Sequence, residues 1–501
     1  MKDFSLSKLQ FGKNDGKREA QLEEFENLFY DFDDMYYNAI SKFKFLILGR
    51  KGTGKTLLGE LIKKRADGID NWICKIENYK KFNLEQLKNL KAKTDMKADE
   101  YIAIWEWIIL LELGKTLLTT IENKELKEYI ILENFFNDNA FDLSLNAFKI
   151  LEVTSEKTIK GELSLKIAKA EGETNRQEIK KQGNYLEYLE ALKEIILKLF
   201  EYINQKKVTI IYDELDSKFK NEEDYKNSII SLIKAANDIN EIFLDKKINV
   251  KIMIFLREDI YNLLNDYDLN KIKEDCSITI DWGINGGECS PLVDMIINKI
   301  RNSYSDFQNL TKQEIISYLF SDVKMNIVKK ERGSLKNKTK TIKPFDFMLT
   351  RTFLRPRDLV TYLNKIIEKY PMAQKISGDY ILEVEKRYSD YFAEEIKNEM
   401  KGHLTDDEIE KIFSLLYRFS KRSFYFESLE KYYKERIELF GILDLKKCIS
   451  LLFNFSALGN IRYDSNGKRF YKWAYREDNI EVNFDEQLVI HLGLRKKMNL
   501  I

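Results

Sequence analysis

Histidine is nearly missing from this chain, with two among 501 residues. The four cysteines, Cys74, Cys276, Cys289 and Cys448, are scattered without CxxC spacing, so neither a zinc centre nor a disulfide framework is expected. HExxH and the zinc-deaminase pattern are absent, and no nuclease or protease signature occurs. No run of 18 apolar residues is present, and the N-terminus, MKDFSLSKLQFGKNDGKREAQ, lacks a signal-peptide core. A cytoplasmic protein with no membrane segment is expected. Net charge is small as well: 83 lysines and arginines against 82 acidic residues leave +1. That excludes a wholesale polyanion binder and permits a local basic patch. With only 4 prolines and abundant Lys, Ile, Asn, Glu and Leu, helix should exceed strand. Hydrophobic residues at 44% and charged residues at 33% describe a globular chain long enough for two to four domains.

What the chain does contain is organised around Phe43–Lys64, FKFLILGRKGTGKTLLGELIKK. Phe43–Leu48 is apolar but for Lys44, as in a strand buried in a parallel sheet. Glycines 49, 52 and 54 follow, then Lys55 and Thr56, and helical spacing takes over through Leu57, Leu58, Leu61 and Ile62. This is GxxxxGK[ST] between a strand and a helix. Glycines let the backbone curl so that successive N–H groups face a phosphate, and the helix N-terminus adds partial positive charge. Lys55 is expected on the β- and γ-phosphates and Thr56 on Mg²⁺. The expected nucleotide-binding set is Gly49, Arg50, Lys51, Gly52, Thr53, Gly54, Lys55, Thr56 and Leu57, with ATP and Mg²⁺ as cofactors.

Upstream, Asp15–Ile40 reads as a polar lead-in and an amphipathic helix bearing Phe25, Leu28, Phe29 and Phe32. Phe11 and Gly12 could border an adenine, but packing is the better reading. Downstream, Trp72–Ile76 suits a second strand. A long helical region over 84–147 carries Trp105, Trp107, Ile108, Leu111 and Leu113, read as core. Residues 149–168 alternate like an inserted β-hairpin, 169–183 is charged, and 185–200 returns to helix.

Lys207–Asp216, KVTIIYDELD, supplies the second half of the expected site. Val208–Tyr212 is a buried-strand run, and an α/β sheet places ligands at the carboxyl ends of its strands. Asp213 would hold Mg²⁺, directly or through water, and Glu214 would polarise the attacking water. Asp216 could instead cap a helix over 221–240. A third strand, Val250–Leu256, ends at Arg257, which could pair locally with Glu258 or Asp259, and Cys276–Trp282 could close the sheet.

From Pro291 the chain turns helical, with a lysine-rich run over 329–343 read as a surface loop. In RTFLRPRDL, Pro356 can begin a helix, leaving Arg355 and Arg357 at its N-terminus. The macrodipole disfavours cations there unless an anion is near, whether a ligand or an acid such as Asp358. Three amphipathic helices (408–419, 426–439, 445–455) and a hairpin turning at DSNGK (464–468) then make a winged helix. Residues 401–501 hold 18 basic against 15 acidic residues, yet Arg462, Lys468, Arg469, Lys472 and Arg476 cluster around the wing with Tyr471 and Trp473. Protein docking is favoured slightly over DNA.

The ordered motifs FGKND, GRKGTGKT, IWEW, IIYDELD, IFLRED, TFLRPRDL and IHLGLRKKM resemble the bacterial P-loop ATPases of STAND/AAA+-like type that are often associated with anti-phage defence. The resemblance implies an α/β fold: a P-loop NTPase parallel-sheet core (43–290) with a large helical insertion (84–200), behind an N-terminal lead-in (1–42). A helical lid (291–400) and a C-terminal winged helix (401–501) would follow. It also implies that Arg257 is a sensor at the end of the strand beside the Walker strands, and that Arg355 or Arg357 touches the nucleotide from the lid. The implied activity is an ATP-hydrolysing switch acting through an effector protein on another chain, with a homo-oligomer and the arginine finger left open. The alternatives are a DNA-dependent ATPase or loader with the winged helix on duplex DNA, and a nucleotide-binding scaffold with little turnover.

Overall fold

A computed structural model describes residues 3–78, 100–141, 143, 159–160, 182–183, 185–216, 219–283, 290–329, 338–465, 467–477 and 480–500. Contacts divide the chain into two compact units, one of Asp34–Gly49 and Leu58–Thr279, the other of Met1–Asp33, Arg50–Leu57 and Ile280–Ile501.

In the first unit, helices surround a five-stranded parallel sheet, an α/β arrangement. Its strands are β1 (Leu46–Gly49), β2 (Trp72–Asn78), β3 (Lys207–Asp213), β4 (Val250–Arg257) and β5 (Ser277–Ile280), in the order β2-β3-β4-β1-β5. All eight residues of β4 are buried, as are six of the seven in β3, which explains their continuous Val/Ile runs: a strand covered on both faces has no polar side to alternate with. Register sets Gly49 level with Arg257 and Asn78 level with Asp213, so these residues share the carboxyl edge. Helix α1 (Lys55–Asp67) lies close over β4, because a Cβ on Gly59 would stand 2.9 Å from the Phe255 ring.

Between β2 and β3 the described residues form helices α2 (Glu100–Thr120), α3 (Lys127–Asp138) and α4 (Tyr185–Tyr202). Helix α2 packs on α4 and on α5 (Glu223–Asp245), and Trp105, Trp107, Ile108, Leu111 and Leu113 are core residues, as read. Periodicity hid two charges in the same helix. Glu112 and Lys115 are buried, 3.1 Å apart, and Lys75 approaches Glu112 at 3.6 Å. Burial, and next the Glu112 charge, push the Glu77 carboxyl up to about 7, although Lys115 and Lys75 pull the other way.

Two local expectations change. The single N-terminal helix is broken into Gly16–Glu19, Phe25–Leu28 and Met35–Ile40, since Asp33 and Asp34 take left-handed backbone angles that no helix continues through. The two strands of the hairpin expected over 149–168 lie outside the described residues; within them, Ile159–Lys160 pairs antiparallel with Gln182–Gly183. The lysine-rich run is not a plain loop: β6 (Met325–Lys329) and β7 (Lys338–Ile342) pair antiparallel, with 330–337 outside the described residues.

Helices α6 (Pro291–Ser303), α7 (Pro344–Leu349), α8 (Pro356–Lys369) and α9 (Gly378–Met400) form the middle of the second unit. Beyond them come α10 (Asp406–Phe419), started by a Thr405/Glu408 capping box, then β8 (Ser423–Phe424), α11 (Phe426–Lys434) and α12 (Leu445–Asn454). The hairpin is β9 (Leu458–Tyr463) and β10 (Arg469–Lys472). The sequence did not announce β11 (Gln487–Ile490), which inserts between β8 and β9 to give a four-stranded sheet, β8-β11-β9-β10. Among the described residues no helix is long and apolar enough to cross a membrane.

Glu77 supplies a pH test. Its folded form keeps a proton up to about pH 7, whereas the unfolded carboxyl releases it near 4.5, so folding weakens as pH rises through that window. Glu77→Gln should melt above wild type at pH 8, by roughly 2–4 °C per kcal/mol recovered, with the gap closing by about pH 5. Scanning calorimetry at both pH values checks this.

Candidate glycine-loop site

Between β1 and α1, the turn Arg50–Gly54 depends on two glycines with positive φ, Gly52 at +84° and Gly54 at +99°. The Arg50 carbonyl gathers the turn: it accepts from the Thr53 amide (3.3 Å), the Thr53 hydroxyl (2.9 Å) and Lys55 Nζ (3.1 Å). The next three carbonyls are held from outside. Lys51 O accepts from Arg355 Nη1 (2.9 Å), Gly52 O from the Arg357 amide (3.4 Å) and Thr53 O from Trp282 Nε1 (2.7 Å). A trans peptide sets each C=O opposite the following N–H, so the N–H groups of Gly52 and Gly54 face away from these partners. The result is a set of donors suited to an anion.

The two arginines at the start of α8 are held by protein groups. Arg355 is 2% exposed; its Nε and Nη2 reach the two Asp358 oxygens (3.1 Å each), and Nη1 reaches Glu399 (2.6 Å). Burial opposes its charge, and the carboxylates of Asp358 and Glu399 more than reverse that, raising its pKa well above the ordinary value. Pro356 stands at the start of α8 as expected, and the ion pair with Asp358 is the partner that its i,i+3 spacing allows. Arg357 pairs with Glu395 (3.2 Å) and donates to the Asn14 carbonyl (3.2 Å). Lys51 reaches the same Glu395 at 3.5 Å. The FGKND segment packs here, with Phe11 buried, Gly12 O accepting from Asn364 (3.0 Å) and Asn14 Oδ1 from Thr361 (2.8 Å).

Sequence reading missed the aromatic side of this site. The Arg50 guanidinium lies over Phe353 (5.5 Å) and Tyr475 (5.9 Å). Both rings touch His491 of the terminal IHLGLR motif. Burial, then Arg476, Arg495, Arg351 and Arg355, hold the His491 pKa well below its ordinary value, and its Nδ1 accepts from the Gly493 amide. The motif is thus a core element.

In the other unit, Asp213 ends β3 and is buried, and Glu214 follows at φ +60°. Such an angle costs a residue with a Cβ roughly 1–2 kcal/mol, and strain of this kind concentrates at functional positions. Arg257 is buried at the end of β4 and pairs with Asp259 (Nε to Oδ1, 3.0 Å) and Asp216 (3.4 Å). Arg257 thus has the local partner Asp259 and a second one, Asp216, from beyond β3. Asp216 faces that arginine and does not cap α5, whose N-cap is Glu222.

Residues 291–397 match the FunZ-associated C-terminal helical domain. FunZ is a defence-associated family, and the match runs from α6 to near the end of α9, about a fifth of the chain. No curated protein matches the chain.

The two loop glycines differ in a measurable way. A Cβ on Gly52 would stand 3.1 Å from the Arg357 Cβ, whereas one on Gly54 meets nothing within 4 Å. Both Ala variants carry the left-handed penalty of roughly 1–2 kcal/mol. Gly52→Ala should be the more destabilised of the two, as read by urea denaturation.

Proposed function

We propose that this chain is a P-loop nucleoside triphosphatase that binds and hydrolyses ATP with Mg²⁺, working as a regulatory switch in defence through an effector protein on another chain. One observation carries the reading: a glycine turn between a parallel strand and a helix, with three successive carbonyls held outward by Arg355, Arg357 and Trp282. The turn suits a phosphate in this reading, since its glycine N–H groups face away from those partners and, among the described residues, a Cβ on Gly54 would meet nothing within 4 Å. Lys55 and Thr56 open α1 beside it, for the phosphates and Mg²⁺ respectively.

In the same reading Asp213 holds Mg²⁺, which when bound offsets charge on the phosphates, and Glu214 orients and polarises the attacking water. The strained backbone at Glu214 supports that role. Among the described residues no cluster of three or more His, Cys, Asp or Glu is arranged for a metal, so the ion would come with the phosphates. The strand of Arg257 lies between β1 and β3, where the resemblance puts a sensor strand. The defence setting rests on the FunZ-associated match.

Protein docking is favoured for the C-terminal module. Two wing cations are already paired, Arg462 with Glu486 and Lys472 with Glu477 (3.0 Å), which leaves fewer for phosphates. Tyr463, Phe470 and Tyr471 are exposed beside them.

Lys55→Ala should abolish ATP binding, measured by calorimetry. Glu214→Gln should keep binding and lose turnover by about 10²–10⁴-fold; unchanged hydrolysis would sink the water-polarising role. Duplex DNA should leave the ATPase rate unaltered, and strong stimulation that fades with salt would select the loader reading instead.

A further inference from the structure

We propose that Arg355 and Arg357 are positioning residues that fix the glycine loop through its carbonyls, and that α9 ties this clamp to the terminal IHLGLR motif, so that the C-terminal module regulates nucleotide affinity. The inference rests on the nucleotide reading above and adds regulation to that site. Both arginines start α8; the Arg355 guanidinium and the Arg357 backbone amide reach consecutive loop carbonyls, and both side chains take a carboxylate from α9: Glu399 for Arg355 and Glu395 for Arg357. Lys51 of the loop shares Glu395. The position of α9 therefore sets the position of both guanidinium groups.

Helix α9 is held in turn by the terminal motif. The Ser389 hydroxyl donates to Gly493 O (2.6 Å) and accepts from the Lys497 amide (2.9 Å). The fit is close, because a Cβ on Gly493 would stand 2.4 Å from Arg351 O and 2.8 Å from the Phe392 ring. Ser389 and Glu399 lie about 15 Å apart along one helix, a length over which a helix moves as a rigid rod. A partner that shifts the terminal segment shifts the acids, the arginines and the loop amides together. By linkage, nucleotide must then change the affinity for that partner by the same factor.

A direct γ-phosphate contact and a clamp make different demands. A clamp organises amides that meet the phosphates common to ATP and ADP, so its loss weakens both equally. Glu399→Ala in the full chain should lower affinity for fluorescent ATP and ADP analogues by the same factor, about tenfold to a hundredfold. KM should rise while kcat is retained, and Glu399→Gln, which keeps an acceptor, should recover most of the loss. Ser389→Ala, away from the loop, should weaken both nucleotides in parallel by a smaller factor. A loss confined to ATP, or no loss in any variant, would overturn the clamp. Hydrogen exchange on the nucleotide-free chain separates the two readings. Faster exchange at Gly52 and Gly54 in Glu399→Ala supports the clamp even if wild type binds neither analogue, and unchanged exchange rejects it.

Discussion

A guanidinium taken out of water must satisfy five N–H donors and balance one positive charge within the protein. Arg355 places four of these donors on Asp358, Glu399 and the Lys51 carbonyl. Each partner is fixed in consequence: Asp358 in the first turn of α8, Glu399 near the end of α9, and Lys51 in the glycine turn. Asp358 also accepts from the Phe353 amide, which steadies the segment before α8, where Leu354 takes a left-handed angle. Breaking a buried pair of this kind by removing one partner costs about 3–5 kcal/mol, because the remaining charge stays buried. Loop geometry, helix start and lid packing therefore stand or fall as one arrangement.

The same residues mark what sequence could and could not reveal. The strands and the glycine turn were legible because they depend on near neighbours: an apolar run, glycine spacing and a change of period. Asp358 was legible as a partner of Arg355 from its spacing. Glu399 and Lys51 lie 44 and 304 positions from Arg355, and no local pattern links them. The resemblance placed the two arginines against a nucleotide, whereas the fold ties both to carboxylates and loop carbonyls. Glu112 and Lys115 escaped for another reason, since an i,i+3 ion pair inside an apolar helix leaves the hydrophobic count almost unchanged. The apolar LVI of β11 could be read, but four residues with no partner in view announce little.

Charge in this protein is balanced by pairing at short range. Lys299 and Glu19 meet at 2.7 Å in the interior, Arg351 meets Glu385 at 3.0 Å, and Arg257 sits between two aspartates. A chain with a net charge of +1 can still carry strong local fields when its charges are buried in opposed sets. The small overall charge thus says little about the electrostatics of the glycine turn, which are set by backbone dipoles and a few buried carboxylates.

The unit that contains the glycine turn is assembled from three separate stretches, Met1–Asp33, Arg50–Leu57 and Ile280–Ile501. During synthesis the turn leaves the ribosome long before Trp282 and the two arginines that hold it. Its carbonyls must wait in water until the last stretch arrives, a long-range closure of the kind that slows folding and exposes intermediates. Cutting the gene at an apparent border near residue 290 would give a fragment that keeps the glycine turn but lacks Arg355 and Arg357, which hold two of its carbonyls. A gene truncated in this way would make a protein whose GRKGTGKT stretch is intact and whose turn has lost the partners that set two of its carbonyls.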